Sequence, residues 1–191
     1  MIFKNIFIII YNHLHNIINH KTHNTSRCLL HQNDNKKDII NWLSSFNHTH
    51  FLTIQFPNNM KTEDSNISED YLRRLMAKFE YCLIGRYWNK KHLPFIAFAE
   101  KGKGSCWHYH LLINSGKHTT NQLQTALDKA ANKLNLPTEL INLQEITNPE
   151  KLYTYCLKEV KLYKNDRIDT NRIIFSTMLF DIENKTPSIV S

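Results

Sequence analysis

Apolar and polar positions fall into a regular order only from about residue 50 onward. Phe51-Leu-Thr-Ile-Gln-Phe56 alternates as a strand does and stops at the turn-forming Pro57-Asn58-Asn59. Leu72, Leu75, Met76 and Phe79 then recur at helical spacing, which predicts a helix over 69–81 with Ser68 as its cap. Residues 82–88 can extend that helix or open a strand. Phe95 to Glu100 and Cys106 to Asn114 are rich in strand formers and flank Lys101-Gly-Lys-Gly-Ser105, the pattern of a hairpin. A helix is predicted from Thr119/Thr120 to Leu134, a strand over 139–146, a helix from Pro149 to about Tyr163, and a last strand over 172–182. The sum is an α+β fold, a central antiparallel sheet of about five strands with flanking helices.

The first 49 residues differ in composition. Seven of the eleven histidines lie in residues 1–50, mixed with asparagine and one apolar run, Ile2 to Tyr11. That run is shorter than the ~20 apolar residues a bilayer requires, and no small-residue cleavage site follows it. Residues 1–49 therefore read as an arm of unknown role, 50–182 as the folded domain, and 183–191 as a tail, with no membrane partner expected. At 191 residues the chain is too short for a (β/α)8 barrel of ~250. Four glycines allow neither standard phosphate-binding loop, so no nucleotide cofactor is expected. The four cysteines contain no CxxC, against a zinc ribbon.

Charge narrows the partner. The net charge is +7, and residues 73–103 carry eight basic groups against two acids. Arg86, Lys90, Lys91, Lys101 and Lys103, with Tyr87 and Trp88 among them, make a candidate surface for single-stranded DNA, cations for phosphates and rings for bases. Trp107 lies close enough in sequence to join them. Phe51, Leu52, Ile54 and Phe56 read as core.

His-X-His on a strand sets two imidazoles on one face. The chain has three such triplets: His13-Leu-His15, His48-Thr-His50 and His108-Tyr-His110. The first has no carboxylate nearby, and the nearest upstream acid to the second is Asp38, across a helix-like segment. The third lies inside a convincing strand, and the hairpin turn brings Glu100 beside it. Two imidazoles and a carboxylate suit a divalent ion with open positions for substrate. On the helix from Pro149, Tyr155 and Lys158 share a face at i and i+3, while Tyr153 points away. Tyrosine, with a pKa of ~10, attacks phosphate only with help from a metal and a nearby positive charge.

Glu100, His108-Tyr109-His110 and Tyr155-Cys-Leu-Lys158 together resemble the ordered motifs of the HUH endonucleases, in particular the single-tyrosine Rep initiators of rolling-circle replication. The strand Phe51 to Phe56 resembles their first motif, and the likeness covers about residues 50–182. It implies a metal-dependent, site-specific nickase and ligase of single-stranded DNA on a sheet with flanking helices. Glu100, His108 and His110 would hold Mg²⁺ or Mn²⁺, Tyr155 would form a 5′-phosphotyrosine, and Lys158 would orient water or steady charge. Its partners would be an origin hairpin and a separate helicase and polymerase of the host. Its setting would be a bacterial or phage-host cytoplasm, or the nucleus for a eukaryotic virus. A single-tyrosine transposase or a mobilisation relaxase shares the chemistry, though relaxases usually carry a third histidine. A non-catalytic DNA-binding replication regulator is the alternative outside it.

Overall fold

The computed structural model describes residues 37–57, 60, 64–88, 90, 92–102, 106–158 and 172–176. Its elements run α1 (37–44), β1 (His50–Gln55), α2 (Ser65–Ile84), β2 (Phe95–Lys101), β3 (Trp107–Ile113), α3 (Thr120–Lys133), β4 (Ile141–Glu145), α4 (Pro149–Cys156) and β5 (Ile173–Phe175). The fold is α+β. Five antiparallel strands in the order β4-β1-β3-β2-β5 form one sheet, and helices cover both faces.

Strand alternation decides which helix packs where. Leu52, Ile54, Ala97, Ala99, Tyr109, Leu111 and Ile113 point to one face and join α2 and α3 through Leu72, Leu75, Phe79, Leu123 and Leu127 in the larger core. Ile96, Phe98 and Leu112 point to the other face and meet Ile39 and Leu43 of α1 and Tyr153 and Cys156 of α4. Residues 37–49, which composition groups with the arm, thus supply part of the second layer.

Boundaries differ from expectation where tertiary contacts compete with local signals. Helix α2 starts three residues before Ser68, capped by Asp64, whose carboxylate accepts from the N–H groups of Asn66 (2.7 Å) and Ile67 (3.4 Å). The Ser68 side chain is instead buried, its hydroxyl 2.7 Å from that of Tyr109. The helix continues through residues 82–84 and ends at Gly85, whose φ of 77° favours glycine. Helix α3 keeps its expected cap, a reciprocal box of Thr119 and Gln122. Helix α4 ends at Cys156, and its expected run toward Tyr163 passes outside the described residues, as do the far part of the last predicted strand, the arm before residue 37 and the tail. Between α2 and β2, the fully buried Glu80 accepts from the Leu93 N–H (2.9 Å) and stands 2.5 Å from His92 Nδ1.

Candidate metal centre

The hairpin register builds the site. Glu100 pairs directly with His108, and Phe98 with His110, so Glu100 and both imidazoles share the face that α4 covers. Tyr109, between them, points through the sheet into the larger core, where its ring meets Phe56 edge-on and its hydroxyl meets Ser68. Burial pushes its phenol up to about 12. A bulky middle residue is therefore accommodated by the core and leaves the site face clear.

Glu100 Oε2 lies 2.9 Å from His110 Nε2 and 3.6 Å from His108 Nε2. One ligand atom from each of the three residues falls within 4.8 Å of the others, and among the described residues this is the group able to hold a metal ion. Neighbouring ligands around an octahedral ion bound at 2.0–2.1 Å stand roughly 3 Å apart. The donors therefore fit a divalent cation in both type and spacing.

Their charge states suit ligation as well. Burial pushes the Glu100 carboxyl up, but hydrogen bonds from Lys158 and His110 and the charges of Lys158 and His108 outweigh it and hold it below its ordinary value. Burial, helped by the charges of His108 and Lys158, pulls His110 down against the opposing pull of Glu100, which favours the neutral imidazole. An ionised carboxylate and a neutral imidazole are the forms that bind metals.

Helix α4 brings the remaining groups. Asn148 caps it, accepting from the Lys151 N–H, and Pro149 begins it. Burial of Tyr153 and Cys156 fixes its rotation, which aims Tyr155 across the site. The Tyr155 hydroxyl lies 3.4 Å from His110 Nε2, and its ring, 40% exposed, meets His110 and Phe51 edge-on. Lys158 sits in the turn that follows, its N–H bonded to Tyr155 O (3.1 Å). Its Nζ lies 3.1 Å from Glu100 Oε1 and 4.1 Å from the Tyr155 ring centroid. Desolvation lowers the Lys158 pKa, yet the contacts with Glu100 and Tyr155 outweigh this and raise it, so the side chain remains an ammonium.

Other candidates have different partners. Tyr153 is buried with its hydroxyl 3.3 Å from His48 Nδ1, and burial raises its pKa. His48 is lowered to about 4 by burial, and His50 lies against Thr49 and Thr120. That triplet braces the opposite end of β1, while His13 and His15 lie outside the described residues. Arg86 and Tyr87, both exposed, pack on each other, and Trp88 meets His92 edge-on beside the chain entering β2. Lys90 is exposed nearby. Glu100 lies five residues beyond the start of β2, about 17 Å at strand rise. This cluster is therefore at the other end of the strand from the metal centre. Lys101 follows Glu100 in β2 but pairs with Trp107 and so faces the opposite side of the sheet, where with Arg172 it flanks the Trp107 ring (5.9 and 5.5 Å). Lys91 and Lys103 lie outside the described residues.

Sequence reasoning missed Thr53 as a site residue and read Phe51 simply as core. Thr53 pairs with His110 across the sheet, its Oγ1 3.1 Å from Nδ1, and Phe51 stacks on the same imidazole at 5.5 Å and 14°. Alternation along β1 carries the signal, since Phe51, Thr53 and Gln55 share one face, but only once β1 is known to pair with β3. No helix among the described residues is long and apolar enough to cross a membrane. No family model, curated protein or solved structure matches the chain.

Proposed function

We propose that the protein is a metal-dependent nickase and ligase of single-stranded DNA that initiates rolling-circle replication, as do the HUH endonucleases of the Rep type that its motifs resemble. The observation that carries the reading is the 3.4 Å approach of the Tyr155 hydroxyl to His110 Nε2. A nucleophile 45 residues away in sequence is thereby brought to the edge of a metal-ligating cluster, beside a fixed ammonium. That the third donor is Glu100 rather than a histidine favours a Rep over a relaxase.

Glu100, His108 and His110 would hold a Mg²⁺ or Mn²⁺ ion, which would supply Lewis-acid polarisation of the scissile phosphate. Tyr155 Oη bonds to phosphorus, and the bond from phosphorus to the 3′ oxygen breaks. The phenolic proton goes to solvent and the departing 3′ oxygen takes one up, leaving a 5′-phosphotyrosine and a free 3′-hydroxyl. Lys158 lowers the energy of the developing phenolate through its charge and keeps Glu100 ionised. Attack by a new 3′-hydroxyl reverses the step and rejoins the strand, with no outside energy source.

The test is incubation with Mn²⁺ and 3′-labelled single-stranded oligonucleotides that carry a hairpin and a randomised segment. A labelled, denaturation-resistant protein adduct is expected, and Tyr155→Phe should abolish it while leaving oligonucleotide binding nearly intact. An adduct that survives the substitution overturns the assignment of Tyr155. Binding without any adduct in the wild type makes the protein a DNA-binding regulator instead.

A further inference from the structure

The β2–β3 turn holds a glycine whose side-chain space is already taken. Gly102 follows the last residue of β2, and its N–H donates to Cys106 O (2.9 Å), extending the ladder one step past the Lys101–Trp107 pair. The described glycines with positive φ are Gly85 and Gly116, so an alanine can adopt the backbone of Gly102. What an alanine meets is a ring. A Cβ at this position would stand 2.9 Å from His108 Nδ1, 3.0 Å from its Cε1 and 3.3 Å from Cys106 O.

Alternation puts position 102 on the face of Glu100, diagonal to His108, and diagonal neighbours lie within each other's reach. The His108 imidazole leans over the bare Cα and in that posture holds Nε2 3.6 Å from Glu100 Oε2. The two nearest atoms belong to a ring that can turn about its side-chain torsions, while the Cys106 carbonyl is backbone and need give by only a few tenths of an ångström. Displacing the ring costs the fold little and costs ligand alignment much.

We infer that Gly102 is a positioning residue of the metal centre, holding open the space in which the His108 imidazole lies. The inference rests on the metal reading of the same cluster. Gly102→Ala should fold, with a metal-free melting temperature within a few degrees of wild type. Its Mn²⁺ dissociation constant, titrated by the paramagnetic resonance of the free ion, should rise about 10–100-fold, the range for a lost supporting contact. In nitrogen-detected imidazole spectra of the metal-free protein, the ring signals of His108 should shift more than those of His110. Unmoved His108 signals, or a Mn²⁺ affinity within twofold of wild type, overturn the inference. A wild-type protein that binds no Mn²⁺ removes the metal reading, and the metal-free spectra then decide the ring's placement alone. If Gly102→Ala fails to fold, adding His108→Ala should restore folding by removing the struck ring. No restoration means that the obstacle is the Cys106 carbonyl, and the inference falls.

Discussion

Thr53 shows how a single hydroxyl can serve a candidate metal ligand in two states. Without a metal, the neutral His110 ring donates from Nε2 to the ionised Glu100, so Nδ1 accepts from Thr53 Oγ1. As a ligand through Nε2, the ring must carry its proton on Nδ1 and donate it to the same oxygen. Only a group that both gives and takes a hydrogen bond satisfies both tautomers, and a hydroxyl does. Thr53→Val keeps the branched shape and removes this partner. Its Mn²⁺ affinity, measured calorimetrically, should fall about 10–100-fold, while unfolding in urea shifts by no more than about 1 kcal/mol. Thr53→Ser should recover most of the affinity. Wild-type affinity in Thr53→Val would show that the stacked Phe51 ring orients His110 by itself.

At the scale of elements, α2 illustrates how burial redirects a local signal. Asp64 and Ser68 are both good caps by residue type, and Tyr109 decides between them by taking the Ser68 hydroxyl into the core. Asp64→Ala should therefore cost about 1 kcal/mol, read as a lower urea midpoint with unchanged slope. Ser68→Ala should cost a similar amount through a different route, the loss of a partner for the buried Tyr109 hydroxyl. If Asp64→Ala leaves the midpoint unmoved, the first turn of α2 draws its stability from packing alone. The hairpin was legible because period-two alternation and its turn fix which residues face together: Glu100, His108 and His110 follow from that arithmetic. The approach of Tyr155 and Lys158 was not, since helical spacing states that they share a side but not what α4 packs against. That depends on Tyr153 and Cys156 docking beside Ile39 and Leu43, two apolar positions hidden in an Asn- and His-rich stretch. The resemblance of the motifs supplied the pairing that periodicity alone lacked.

For the molecule as a whole, the two layers divide the chemistry: the α4 side carries the candidate metal centre, and the α2 side carries a buried acid, Glu80. Burial raises Glu80 from 4.5 to about 8 against the opposing Leu93 N–H, and burial lowers His92. Both shifts favour the neutral pair, a carboxyl O–H donating to His92 Nδ1. Between pH 4.5 and 8 the folded protein thus holds a proton on Glu80 that the unfolded chain releases. Its contribution is complete below pH 4.5 and is lost as pH rises toward 8. His48, His50, His92 and His110 act in the opposite sense. Their folded pKa values lie below 6.5, so they cost stability in acid and stop contributing a slope once the unfolded chain is neutral. As pH rises past 6.5 these histidine slopes die away, and among the described residues the Glu80 slope, at most about 1.4 kcal/mol per pH unit, takes over. Urea unfolding at a series of pH values should show a maximum at about pH 6.5–7.5, where the opposing slopes cancel, and a decline toward 8. Glu80→Gln should flatten that decline, because an amide accepts from Leu93 and donates to His92 as the protonated carboxyl does but has no proton to lose. A decline of equal steepness in the variant would place the titrating group elsewhere.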